Sequence, residues 1–334
     1  MKKRFTITVD GGTTNTRAVL WEQAQVVAIA KEEVGVRNTA IDGNNHRLKC
    51  ATRRCLESLL EQRGIGYSDV ESVIASGMIT SNVGLVEIPH LIAPAGIEEL
   101  AQGLRSIMLE DICPLPIWFI PGIKNDCDRV TLENFEVMDI MRGEETESVC
   151  LIEHYGKGQP LVLILPGSHM KMVSVDAQGR ITGCMTSLSG ELLSALTQHT
   201  ILADAVEKKF ADSAHYDQEM AIRGFRTAQA VGFSRACFSA RIISQFVDKD
   251  PSQIASYLLG VTLGEDILAL RRTKSILAPR DVHILIAGKE PIRRAMADLL
   301  REDGFFSHIV SYEDAGAPIS AQGARLIAAH RRAY

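Results

Sequence analysis

Three short stretches gather the polar chemistry of this chain. The first, DGGTTNTR at residues 10–17, follows directly on the apolar alternation Phe5-Thr6-Ile7-Thr8-Val9. Gly11 and Gly12 let backbone amides approach a ligand closely. Successive amides in such a turn form a nest for an anion, and Thr13, Thr14 and Asn15 add donors. Asp10, at the strand end, is placed to hold Mg²⁺ through water, because that ion usually keeps several of its waters. A hairpin turn explains Gly-Gly alone equally well. It does not explain the whole string.

The second stretch, LPGSHMK at residues 165–171, repeats this chemistry at Gly167 and Ser168, with His169 and Lys171 as donors or cations. Pro-Gly alone is a common turn signal; the pairing with the first turn gives it weight. The third, MRGEETE at residues 141–147, opens a helix with the carboxylates Glu144 and Glu145. The helix dipole favours acids there in any protein. The functional reading is a general base for a hydroxyl, with Arg142 binding an anionic group of the substrate. Two glutamates in one cleft would repel each other and raise one pKa. A further segment, residues 284–300, reads strand, Gly288, helix, with Gly288 letting an adenosine lie against the backbone. Neither the Walker A pattern nor GxGxxG is present, so a P-loop and a Rossmann dinucleotide site are not supported.

The elements that must position these groups follow from periodicity and punctuation. Strands are predicted at 7–10, 18–21 and 26–31 as an antiparallel meander, and a helix over 46–62 ends at Arg63-Gly64. A buried strand at 70–75 runs into the loop GMITSNVG. From residue 141 a helix precedes strands at 161–165, 170–175 and 180–183. Helices then dominate until a strand–helix repeat closes the chain. A strand, a Gly-containing polar turn and a second strand thus occur twice, at 7–21 and at 161–175. Two similar α/β lobes facing each other across a cleft are expected, divided as 1–140 and 141–334.

The chain has 334 residues, 46% hydrophobic and 23% charged, with net charge −5. That length suggests two domains, and the charge gives no footprint for nucleic acid. No apolar run long enough to span a membrane and no leader-like segment is read. Seven scattered cysteines without a CxxC pair suggest reduced thiols in a cytoplasmic protein.

Taken together, the turns resemble the phosphate 1, phosphate 2 and adenosine elements of the actin-like ATPase superfamily of sugar kinases, actin and heat-shock chaperones. GMITSNVGLVEIPHLIAPA, IPGI, MRGEETE, LPGSHMKMV and MTSLSGEL more closely resemble, in the same order, the motifs of the 2-dehydro-3-deoxygalactonokinase family. The resemblance implies two actin-like (ribonuclease H-like) lobes with a central cleft for ATP and substrate. It implies transfer of the γ-phosphoryl of ATP, with Mg²⁺, to the C6 hydroxyl of 2-dehydro-3-deoxy-D-galactonate. Glu144 is then the first candidate for the base, Glu145 the second, and Asp10 lies on the metal side. Arg142, His169, Lys171 and the Ser81-Asn82 loop are the candidates for the sugar acid. A homodimer is compatible with the resemblance. Alternatives are a same-fold kinase for another sugar acid or sugar, a nucleotide-binding regulator without catalysis, and an exopolyphosphatase-like hydrolase.

Overall fold

The computed structural model describes residues 4–156, 158–313 and 316–331. The alternation at the N-terminus becomes β1 (Phe5–Gly11), antiparallel to β2 (Thr16–Glu22), which is antiparallel to β3 (Gln25–Glu32). After α1 (Val36–Asp42), α2 (His46–Arg63) buries Leu48, Cys55, Leu56 and Leu59 and stops at Gly64, whose φ of 62° suits glycine. Next comes β4 (Val70–Gly77), parallel to β1. Short pieces follow: β5 (Leu91–Ile92), α3 (Ile97–Gly103), β6 (Arg105–Ile107), β7 (Ile117–Phe119), β8 (Ile123–Lys124) and β9 (Ile140–Met141). The first lobe's sheet runs β3-β2-β1-β4-β7-β6, while β5, β8 and β9 form a small sheet beside it.

After β9 come α4 (Glu144–Tyr155) and then β10 (Leu161–Leu165), β11 (Met170–Val175) and β12 (Ile181–Ser187), strands of the second lobe's sheet. Helices α5 (Ser189–His199), α6 (Gln218–Val231), α7 (Phe233–Phe246) and α8 (Pro251–Arg272) follow. The chain closes with β13 (His283–Ile286), α9 (Ile292–Asp303), β14 (His308–Ser311) and α10 (Ile319–Arg331). Its sheet, β12-β11-β10-β13-β14, repeats the first lobe's β3-β2-β1-β4-β7: an antiparallel meander with parallel strands added on the far side. The internal echo in the sequence is this repeated topology.

Helices α4 and α10 lie between the sheets. One apolar cluster joins Ile74 of β4, Leu151 of α4, Leu163 of β10 and Ile327 of α10. Gly323 lets the two helices touch, since a Cβ there would fall 1.7 Å from the Thr146 carbonyl oxygen. The last helix also packs on β1, β4 and α3, so the C-terminal segment returns to the first lobe. Helix α8 is long and apolar enough to cross a membrane by length and composition, but most of it is buried beneath α5, α6, α7 and α9. It is the core helix of the second lobe.

Candidate active site

Both polar turns and the N-terminus of α4 open on one cavity of about 270 Å³. From the first lobe come Asp10, Gly11, Gly12 and Thr13; from the second, Gly167, Ser168 and His169. Arg142, Gly143, Glu144 and Glu147 form its floor. Glycines make the convergence sterically feasible. A Cβ on Gly11 would stand 1.9 Å from Ile79 Cγ2, and one on Gly77 (φ 87°) 2.7 Å from the Gly11 oxygen.

The turns are fastened so that amides stay available. Gly12 N–H closes the first turn on the Asn15 carbonyl at 2.8 Å. The Gly12 and Thr13 carbonyls accept from Val36 and Arg37, at the start of α1. The Thr13 and Thr14 amides are left without an acceptor among the described residues. In the second turn the Ser168 carbonyl accepts from Glu191 N at 3.0 Å. The amides of Gly167, Ser168 and His169 likewise have no acceptor among the described residues. Two facing sets of unclaimed amides are suited to a polyanion.

The acids divide into two kinds. Glu144 lines the cavity and accepts from Arg142 N at 3.0 Å. Asp10 lines it too and accepts from Ser320 Oγ at 3.1 Å. Burial raises the Asp10 carboxyl above its ordinary value; Ser320 and Arg17 oppose that rise and Glu144 adds to it. Glu145, the second candidate for the base, is fully buried and does not line the cavity. Its Oε2 accepts from Gly143 N at 2.7 Å, and its Oε1 has no partner among the described residues. Burial, then Glu144, pushes it up to about 8, so it is mainly a neutral acid at pH 7. Glu147 was not foreseen, although it sits three residues beyond Glu144 on the same helical face. Burial, then Glu144 and Asp10, pushes it up to about 8 as well.

These two raised carboxyls set a pH dependence. Between the ordinary value of 4.5 and about 8 the folded protein keeps protons that the unfolded chain has released. Stability therefore falls as pH rises through that window. One pKa unit is about 1.4 kcal/mol and the two groups are coupled, so the loss is on the order of a few kcal/mol. The ligand-free protein is expected to melt lower at pH 8 than at pH 5.5, with a shallower slope in Glu145→Gln. A melting temperature independent of pH in both proteins would refute the assignment.

Other expected binding residues are engaged elsewhere. The Arg142 guanidinium reaches into the cavity wall but is consumed by protein acceptors. One nitrogen donates to the Thr80 carbonyl (2.5 Å) and hydroxyl (2.6 Å), the other to the Ile88 carbonyl (3.0 Å), with His90 Nδ1 at 3.2 Å. Burial and the Arg142 charge hold His90 down to about 4, so its Nδ1 accepts. Arg142 thus ties the 78–90 loop to α4 and is not a free fork for a substrate carboxylate. Ser81 is buried, its hydroxyl donating to the Met78 carbonyl at 2.7 Å, and Asn82 is exposed. Lys171 does not reach the cavity. It is buried, donates to the Ile140 carbonyl (2.7 Å) and the Thr186 hydroxyl, and stands 3.7 Å from Asp139. The β11 strand carries Lys171 past the turn and packs it against Ile140 of β9 and Thr186 of β12. His169 stays at the rim, 2.9 Å from Glu191. Thr14 and Asn15 bond to each other at the turn's outer edge.

Gly288 lines a second, larger cavity of about 970 Å³ that shares Glu147, Pro166 and Gly167 with the first. Its φ of 97°, and a Cβ position 3.0 Å from Pro166 Cδ, explain why glycine stands there. A small polar cavity adjoining a larger one beside a strand–glycine–helix suits phosphates followed by a nucleoside.

Paired lobes with matching turns and an acidic helix start between them define the actin-like fold. The solved component A of (R)-2-hydroxyglutaryl-CoA dehydratase from Acidaminococcus fermentans shares that fold at TM-score 0.51 and 14% identity, over 99% of this chain and all of its own. The chain belongs to the 2-keto-3-deoxy-galactonokinase family, whose model matches residues 10–319. It is 26% identical to the 2-dehydro-3-deoxygalactonokinase of Escherichia coli K12, over 84% of this chain and 85% of that one. A crystal structure from Sinorhizobium meliloti, described as a candidate 2-dehydro-3-deoxygalactonokinase, superposes at TM-score 0.71 with 23% identity, covering 98% of each chain. The chain is accordingly an ATP-using phosphotransferase.

Proposed function

We propose that the protein transfers the γ-phosphoryl of ATP to the C6 hydroxyl of 2-dehydro-3-deoxy-D-galactonate. The observation that carries this is the meeting of both free-amide turns with Glu144 in one cavity, in a chain of this family. Phosphoryl transfer asks the protein mainly for alignment and charge neutralisation. The amides at 13–14 and 167–169 bind the outer phosphates, and the cavity around Gly288 takes the nucleoside. Glu144 accepts the proton of the attacking hydroxyl, holding its carboxylate by the Arg142 amide. Lobe closure over both substrates excludes water, which competes as acceptor.

The donor set fits Mg²⁺. Asp10, Glu144 and Glu147 offer hard oxygen ligands to one cavity, and repulsion from Glu144, which a dication relieves, helps to raise both the Asp10 and the Glu147 carboxyls. Among the described residues no three acidic, histidine or cysteine side chains enclose an ion. That suits a metal bound through one or two carboxylates and its own waters. When bound, the ion neutralises charge on the phosphates. Asp10 would hold it, with Glu147 next.

The test is ATP consumption with Mg²⁺ over 2-dehydro-3-deoxygalactonate, its gluconate epimer, galactonate, glycerol and no acceptor. Turnover confined to the first is expected. Preference for another acceptor would move the protein to a different sugar specificity, and ATP binding without turnover on any would make it a regulator.

A further inference from the structure

Behind the second turn, and outside the cavity, a buried carboxylate holds the segment on which that turn rests. Asp266 of α8 is 1% exposed. Its Oδ1 accepts from both Ser187 Oγ and Ser189 Oγ at 2.5 Å, and the two hydroxyls lie 2.8 Å apart. Ser187 ends β12 and Ser189 begins α5, so one oxygen pins the corner between strand and helix. The next two residues touch the turn. Gly190 is so close that a Cβ would fall 2.3 Å from the Gly167 oxygen and 2.7 Å from the Ser168 oxygen. Glu191 N donates to the Ser168 carbonyl, and its carboxylate holds His169. The carbonyl side of Gly167-Ser168 is therefore seated on α5, and α5 is seated on Asp266.

We propose that Asp266 is a positioning residue for phosphoryl transfer, fixing the second phosphate turn through Ser187 and Ser189. A carboxylate taken out of water this completely is costly unless its bonds are worth it. Here Oδ2 has no partner among the described residues, while Oδ1 carries both serines. An apolar residue would fill the space at lower cost, so stability alone does not account for an acid. Burial pushes Asp266 up to about 6, against the pull of the two hydroxyls. The inference rests on residues 166–169 being the ATP phosphate turn.

Asp266→Ala is expected to lower kcat/KM for ATP about 10- to 100-fold, the scale of a misplacement of about 1 Å at a reacting group. The KM for the sugar acid should stay within about twofold, because the 78–90 loop is untouched. Asp266→Asn keeps an oxygen for both serines and should recover most of the loss. Ser189→Ala, which removes one of the two bonds and leaves the core carboxyl in place, should show an intermediate loss and carries the test if Asp266→Ala does not fold. Gly190→Ala, which pushes directly on the Gly167 carbonyl, is the control. If Gly190→Ala impairs ATP use while folded Asp266→Ala and Ser189→Ala do not, the positioning role is overturned and the turn assignment stands. If none of them alters the ATP parameters, the turn assignment itself falls. Equal impairment of Asp266→Asn and Asp266→Ala, tracking their melting temperatures, would reduce Asp266 to a structural residue.

Discussion

Glu144→Gln is expected to lower phosphoryl transfer by about 10²- to 10⁴-fold, the usual contribution of a positioned base, while ATP still binds. The reason lies in how the first turn of α4 sorts its acids. Glu144 faces the cavity beside Asp10 and is steadied by a single amide. Glutamine keeps the carbonyl that accepts from Arg142 N, so the helix start survives and only proton acceptance is lost. Glu145 turns inward, accepts from Gly143 N and is mainly neutral at pH 7. Glu145→Gln replaces a neutral acid by a neutral amide of the same shape, and turnover should stay near that of the native protein. Initial-rate assays with calorimetric ATP titration separate the two variants. Loss of turnover in Glu145→Gln with retention in Glu144→Gln would reverse the assignment.

That contrast also marks how far the sequence could be read. The turns at 10–15 and 166–169 were legible because glycine, proline and short polar residues interrupt strongly apolar strands, and the repeated hairpin made two lobes visible. Helix α2 was legible from a sustained helical period with a stop signal at Gly64. The seven-residue helices α1 and α3 and the two-residue strands β5, β8 and β9 are too short to carry a period, and they form through tertiary contacts. Those contacts decide where Lys171 and Arg142 are engaged. Lys171 is adjacent in sequence to the phosphate turn, yet the Ile140 carbonyl that captures it comes from one of those short strands. Arg142 precedes the acids, but its acceptors Thr80 and Ile88 lie on a loop more than fifty residues away. Glu147 was legible in principle, at i+3 from Glu144. Ser320, which meets Asp10 from α10, was not, since nothing local links residues 310 positions apart.

Asp10→Asn is expected to lower turnover by orders of magnitude without lowering the melting temperature of the ligand-free protein. The two effects have one cause. Asp10 sits in a desolvated strand end, facing Glu144, and its carboxyl is raised accordingly. A carboxylate kept there is a burden on the empty protein, of the kind that functional sites often carry. Asparagine retains an oxygen to accept from Ser320 Oγ and removes the charge, so the fold gains or stays level. What it cannot do is attract a dication through water while phosphates occupy the two nests. ATP affinity measured with and without Mg²⁺ makes the point independent of turnover: the native protein should bind ATP more tightly with the metal, and the variant should show little difference. A variant that melts lower and keeps its Mg²⁺ dependence would instead make Asp10 a strand-end anchor for Ser320. Near-native turnover would remove it from the metal side altogether, leaving Glu147, the other raised carboxyl of the cavity, as the group to test next.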